Sequence, residues 1–208
     1  MLTFALSKGR LADKIFDMLK QLNLCDIALD SEDRRLVVES GNFRFFLAKP
    51  SDVPTFVESG VADIGVVGKD TILEENRDLT EVLDLGFGKC RMCVCAKMGE
   101  GESYRFKTNI KVATKYPHIA KNYFDSLNQN VTIIKLNGSV ELAPIVGLSD
   151  VIVDIVESGR TLKENGLEPV TTVVDLSARL ICNNASIKTK YDEISDIISG
   201  FSNILKER

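Results

Sequence analysis

The chain has 208 residues, 44% of them hydrophobic and 27% charged, with 26 basic against 30 acidic side chains and a net charge of −4. Such a chain is long enough for one large globular domain or two small ones, and its mild acidity excludes nucleic-acid binding by bulk charge, so any anion site must be a local cluster. The first ten residues carry no basic region ahead of a long apolar run, and no run is apolar for long enough to cross a bilayer; neither a signal peptide nor membrane association is expected, and the expected location is cytoplasmic.

Leu2 to Leu6 reads as a short buried strand, followed by the turn Ser7-Lys8-Gly9-Arg10 and a helix whose stripe is Leu11, Ile15, Met18, Leu19 and Leu22. Strand, glycine turn and helix start make an edge where backbone N–H groups face outward and open α/β sheets take their ligands. Lys8 and Arg10 fit two readings there, solvated loop charges or anion ligands. Cations at a helix start oppose its dipole, and a bound anion relieves the conflict, which favours the second reading.

Arg34 to Lys49 reads as a hairpin, with Leu36-Val37-Val38 turning at Ser40-Gly41-Asn42 into Phe43 to Leu47. Pro50-Ser51-Asp52 supplies turn and cap residues for a short helix ending near Gly60. Ala62 to Gly68 is a buried strand running into a glycine turn, with Lys69 and Asp70 opening the next helix; its glycines also suit close packing of helix on strand. Thr80 to Gly88 runs apolar into Cys90-x-x-Cys93-x-Cys95, with Gly86 and Gly88 at hinge or bulge positions. A metal reading of the cysteines lacks a fourth ligand at suitable spacing, since His118, the single histidine, lies in another segment. The alternation with Met92, Val94 and Ala96 favours reduced thiols in a strand buried on both faces.

The second half repeats the alternation. Ile110 to Thr114 and Val131 to Leu136 read as strands around a helix from Lys115 to Leu127, and Asn137-Gly138-Ser139 caps a helix starting near Glu141. After the helix stop at Asn165-Gly166 come apolar segments at Val170 to Leu176 and Leu180 to Asn183. A last amphipathic helix carries Tyr191, Ile194, Ile197, Ile198, Phe201, Ile204 and Leu205, with Lys206 and Arg208 at the end where cations suit the dipole. Alternating strands and helices predict an α/β chain with mostly parallel sheets in two lobes around a cleft.

Val151 to Leu162 holds the most chemistry. An apolar strand delivers Asp154 and Glu157 to a sheet edge, and Ser158-Gly159-Arg160-Thr161 then opens a helix. Outward N–H groups and hydroxyls favour phosphate, and acids beside such a nest suit sugar hydroxyls or a phosphate-bound Mg²⁺. A sugar-phosphate pocket is the expectation.

Several stretches together resemble the catalytic subunit of the ATP phosphoribosyltransferases, which open histidine biosynthesis. They are Ala5 to Arg10, Ser51-Asp52-Val53-Pro54, Ala62 to Asp70, Ala113-Thr114-Lys115-Tyr116, Gly138 to Pro144, Val146-Gly147-Leu148, Asp154 to Leu162 and Glu164 to Leu167. The resemblance spans essentially the whole chain, and the last blocks are its most specific part. It implies a two-lobed, periplasmic-binding-protein-like (type II) α/β fold with a central cleft. Lobe I would comprise residues 1–88 plus 173–208, and lobe II residues 89–172 with the loop for phosphoribosyl pyrophosphate (PRPP). Longer members of the family carry a C-terminal regulatory domain. This chain stops without one and is similar to the short form, which works with a partner resembling a histidyl-tRNA synthetase, as a homodimer within a hetero-oligomer.

The implied reaction joins N1 of the adenine of ATP to C1 of PRPP and expels pyrophosphate, with Mg²⁺ carried on the substrate phosphates. By the motif match, Glu157, Ser158, Gly159, Arg160 and Thr161 hold the 5′-phosphate and Asp154 the ribose hydroxyls. The loop is similar to that of the flavodoxin-like phosphoribosyltransferases by convergence only, since Val153 stands where those have a second acid; no direct metal ligand is assigned. Arg10 and Arg34 are the catalytic candidates, placed to neutralise departing pyrophosphate. Lys8, Gly9, Lys49, Asp70, Lys115 and Glu141 are candidates for ATP or phosphate. Lys49 stands where family members often have Arg and lacks its bidentate fork; Glu141 fits equally a helix-start charge, and Lys115 a solvated lysine. The alternative function is a cytoplasmic solute-binding module of the same fold.

Overall fold

The short apolar runs of the sequence become strands of two separate sheets. The structure, a computed structural model, describes residues 1–27 and 34–207; Arg208, expected at the basic end of the last helix, lies outside them. The chain divides into two compact units, Met1–Gly88 with Ser177–Arg208, and Lys89–Leu176. Val173 lies inside a strand that runs to Leu176, and the division falls at that strand's end.

Unit 1 is built on a six-stranded sheet in the order β2-β3-β1-β4-β11-β5, formed by β1 (Leu2–Ser7), β2 (Val37–Ser40), β3 (Phe43–Ala48), β4 (Ile64–Gly68), β5 (Thr80–Asp84) and β11 (Ala178–Cys182). β1 runs parallel to both neighbours, with Phe4 opposite Phe45 on β3 and Ile64 on β4. The helical stripe read from the sequence faces inward: α1 (Arg10–Gln21) buries Ala12, Ile15, Phe16, Met18 and Leu19. They pack with Phe4, Phe45 and Leu180 of the sheet and with Ile194, Ile197 and Phe201 of α8 (Tyr191–Lys206). On the other face Val53 and Val57 of α2 (Val53–Glu58) meet Ala5, Val67 and Ile181. Gly65 makes that approach feasible, because a Cβ there would stand 2.7 Å from Val57 Cγ2. α3 (Lys69–Glu75) and the one-turn α7 (Ser186–Thr189), which has no counterpart among the elements predicted from the sequence, complete the unit.

Unit 2 has a five-stranded sheet in the order β10-β6-β9-β7-β8, from β6 (Cys90–Lys97), β7 (Ile110–Thr114), β8 (Val131–Lys135), β9 (Val151–Val156) and β10 (Leu167–Leu176). Its helices are α4 (Pro117–Ser126), α5 (Leu142–Ile145) and α6 (Arg160–Glu164). Cys93 and Cys95 lie in the core beside Ile152, Val156 and Leu162. Burial raises both thiols, and in unit 1 it pushes Cys182 up to about 12. All five cysteines are free thiols.

The expectation of mostly parallel sheets is corrected. Among the described residues four strand pairings are parallel and five antiparallel. Parallel neighbours require a long crossover. β2 and β3 have only Gly41 and Asn42 between them, while β6 and β11 enter their sheets where the chain passes between units, with no helix before them. An apolar run records burial on both faces; it does not record direction.

Candidate active site

In unit 2 the relevant edge is the carboxyl end of β9, and the turns after β7 and β8 leave the same edge because β7 is parallel to both β8 and β9. Asp154, two residues before β9 ends, is half-buried. Burial raises its pKa and the charge of Glu141 adds to the rise; a hydrogen bond from Ile155 N–H to Oδ1 (2.8 Å) and the charge of Lys115 work the other way. Those couplings place Asp154, Glu141 and Lys115 in one electrostatic neighbourhood. A partly desolvated carboxylate of this kind is a strong acceptor for hydroxyl protons.

Past Val156, Glu157 and Ser158 are exposed, and Gly159 is the N-cap of α6 with φ 75° and ψ 4°. That left-handed conformation is why a glycine stands there. The Arg160 N–H approaches Ser158 Oγ at 3.4 Å, and the Arg160 side chain bonds Glu164 at 2.8 Å on its own helix. Exposed pairs of that type contribute little, about 0.3–0.5 kcal/mol, so Arg160 can be recruited elsewhere. The first N–H groups of α6 have no intrahelical acceptor, and Thr161 sits exposed among them. Gly159→Ala is expected to cost about 1–2 kcal/mol through its backbone conformation, read as a lower urea midpoint. Space is not the cause, since the new Cβ would lie 3.7 Å from Val156 Cγ1. Gly138→Ala serves as control, with no atom within 4 Å of its added Cβ.

In unit 1, Lys8, Gly9 and Arg10 are exposed at the end of β1, with Arg10 the first residue of α1 and Gly9 its N-cap at φ 96°. Lys49 leaves β3 one strand away. A cavity of about 710 Å³ within the unit is lined by both Lys8 and Lys49 against the apolar walls of Leu36, Val37, Phe46 and Phe56. Two ammonium groups at an apolar hollow suit an anion attached to a flat or apolar body.

The structure therefore groups Lys8 with Lys49, and Asp154 with Glu141 and Lys115, beside the contiguous Glu157 to Thr161. Arg34 is exposed ahead of β2 and does not line the Lys8 cavity. Asp70 turns back over its own helix start: a Cβ on Gly68 would stand 2.1 Å from Asp70 Oδ1. Lys115 lies 5.9 Å from the Tyr116 ring centroid, held over it as well as near Asp154. Thr114, which received no role from the sequence, is wholly buried and donates to Val153 O at 2.6 Å. Its signal was a polar side chain closing an otherwise apolar strand.

Among the described residues no three His, Cys, Asp or Glu side chains converge as a metal cage, and no helix is long and apolar enough to cross a membrane. Two α/β units, one with a cationic loop and one with a carboxylate beside a hydroxyl-bearing helix start, define a protein that handles sugar phosphates or nucleotides. The family model for ATP phosphoribosyltransferase matches residues 49–203. The ATP phosphoribosyltransferase of Lachnospira eligens is 55% identical over 202 residues, 95% of this chain and 94% of its own. That of Caldicellulosiruptor bescii is 53% identical over 210 residues, 100% of both chains. Among solved structures, the ATP phosphoribosyl transferase (HisG:HisZ) complex from Thermotoga maritima matches with TM-score 0.85 and 35% identity, covering 100% of each chain. A substrate binding protein of an amino acid ABC transporter has TM-score 0.58 and 12% identity over 99% of this chain and 92% of its own, and shares the fold alone. The fold is thus the type II solute-binding-protein fold. The chain belongs to the ATP phosphoribosyltransferase family, and is an enzyme of the pentosyltransferase kind.

Proposed function

We propose that the chain transfers the phosphoribosyl group of PRPP to N1 of the adenine of ATP, releasing pyrophosphate and forming N1-(5-phospho-β-D-ribosyl)-ATP, the first step of L-histidine biosynthesis. The observation that carries this reading is family membership along the full length, joined to the Asp154-to-Thr161 loop at the end of β9. Glu157 to Thr161 take the 5′-phosphate through backbone N–H groups and hydroxyls. Asp154 accepts hydrogen bonds from the ribose hydroxyls, and Lys115 and Glu141 set its charge. Lys8 and Lys49 serve the phosphates of ATP, with Gly9 letting the backbone of that loop come close. Asp70 is kept in this group by its place at the edge of β4, and its turned-back carboxylate supports a part in shaping the loop.

The C1–O bond to pyrophosphate breaks with its electron pair leaving on oxygen, and the adenine N1 lone pair forms the new C1–N bond. N1 needs no prior deprotonation, so a strong general base has no task. The demand falls on charge: Arg10 and Arg34 stabilise the departing pyrophosphate. In this reading Mg²⁺ is carried by the substrate phosphates with no direct ligand assigned on the chain, the half-buried Asp154 being kept for the ribose hydroxyls; the bound ion would neutralise pyrophosphate oxygens. The partner is a regulatory subunit resembling a histidyl-tRNA synthetase, around a homodimer of this chain in the cytoplasm; the Thermotoga maritima relative is itself a HisG:HisZ complex.

The test is to mix the chain with ATP, PRPP and Mg²⁺, with and without the HisZ-like subunit. Pyrophosphate and phosphoribosyl-ATP are expected in equal amounts, lost on chelation of Mg²⁺, with histidine inhibiting only when the partner is present. Binding of either substrate with no pyrophosphate released under any of these conditions would instead mark a solute-binding module.

A further inference from the structure

Thr114 closes β7 at 0% exposure, at the edge from which Lys115, Glu141 and Asp154 are displayed. Its Oγ1 donates to Val153 O at 2.6 Å and accepts the Tyr116 N–H at 2.9 Å, and its own carbonyl accepts the Leu136 N–H at 2.9 Å. A threonine hydroxyl has one proton to give, and here it goes to the peptide that carries Asp154. The β7–β9 register ends at Thr114 opposite Val153, so the hydroxyl ties the two strands where their ladder stops. Lys115 departs from one side of the tie and Asp154 from the other.

We infer that Thr114 is a positioning residue for the phosphoribosyl half of the reaction, its hydroxyl fixing the Lys115 turn against the Asp154 backbone before the sugar phosphate arrives. This rests on the reading of Asp154 as the ligand of the ribose hydroxyls. The groups around Asp154 are Lys115 from the β7–α4 turn, Glu141 ahead of α5, and the thiols of Cys93, its cross-strand partner, and Cys95 on β6. Of these, Lys115 is the one whose placement depends on the hydroxyl. Its attraction opposes the effect of burial, so loosening the turn leaves Asp154 easier to protonate.

The test compares Thr114→Val, which keeps the shape and loses both hydrogen bonds, with Thr114→Ser, which keeps the hydroxyl. Two readouts are taken on the full chain with its partner: steady-state constants for PRPP and ATP, and the Asp154 carboxyl titration followed by ¹³C NMR without substrate. Thr114→Val is expected to lower kcat/KM for PRPP roughly tenfold or more with the KM for ATP unchanged, and to move the Asp154 midpoint upward. Thr114→Ser restores both. If Thr114→Val does not fold, Thr114→Cys, of similar volume with a weak donor, carries the same comparison. Thr114→Val and Thr114→Ser giving the same Asp154 midpoint and the same PRPP constants would overturn the inference. Asp154→Asn separates the two levels. If it leaves PRPP constants at the wild-type value, the reading of Asp154 fails and the inference with it. If it impairs PRPP while Thr114→Val does not, the inference fails and the reading stands.

Discussion

Arg10→Ala lowers kcat by about 10²-fold or more, the range for removal of one preorganised donor to a developing anion, and changes the KM values for ATP and PRPP far less. The guanidinium is exposed at the first position of α1, where a cation works against the positive end of the helix by about 0.3–1 kcal/mol. An anion that gathers charge during the proposed reaction gains most from such a group, because a ground-state pyrophosphate would already share its charge with the Mg²⁺ of that proposal. Arg34→Ala is expected to behave in the same way. Arg10→Lys restores part of the loss, keeping the charge while losing the bidentate fork. Steady-state kinetics at saturating substrates decide the matter: an unchanged kcat in either alanine variant removes that residue from the leaving-group role.

The largest effect on stability is expected at Asp63, which is 5% exposed. Its Oδ2 accepts the Thr3 N–H at 2.9 Å and Lys190 Nζ at 2.7 Å, while Oδ1 accepts Ser186 Oγ at 2.7 Å. The start of β1 and the segment leading into α8 are thereby held on one carboxylate. Asp63→Ala leaves an ammonium, a hydroxyl and a peptide N–H without their acceptor, and is expected to cost about 3–5 kcal/mol, read from urea unfolding. Burial alone would raise the pKa of Asp63; the bonds from Lys190, Ser186 and Thr3 outweigh it and hold the pKa below the ordinary carboxylate value. A carboxylate depressed in the folded state gives its full stabilisation above the unfolded value of about 3.9 and loses it as pH falls through the folded one. The wild type should therefore lose stability on acidification below about pH 4, and Asp63→Asn should show a shallower acid limb. Equal slopes would mean that Asp63 is not the group responsible.

What was legible in the sequence was local. The stripe of α1, the hairpin turn at Gly41, the strand into the Gly159 loop and the cations after β1 are each set by residues a few positions apart. Partners far away in the chain were not legible. Asp63 sits in the motif Ala62 to Asp70 yet serves as a brace to Ser186 and Lys190, 123 and 127 residues on. Asp70 looked like a ligand at a helix start, and its folding back over Gly68 is a tertiary fact. The helix expected from Glu141 proved a single turn, Leu142–Ile145, because Gly147 takes φ 76° and stops it. Thr114 went unassigned because its partner Val153 lies 39 residues away. Lys8 and Lys49 were both legible as cations, but their shared cavity depends on β1 and β3 being parallel neighbours.

The loop after β9 is the proposed PRPP site, and calorimetric titration of PRPP with Mg²⁺ tests that assignment most directly. Thr161→Val removes the exposed hydroxyl in the first turn of α6 without disturbing Gly159. It is predicted to weaken PRPP binding by about tenfold or more, the loss of a charge-assisted bond of roughly 1.5–3 kcal/mol, and to leave ATP binding as in the wild type. Undiminished PRPP affinity in that variant, or an equal loss of ATP affinity, would contradict the assignment.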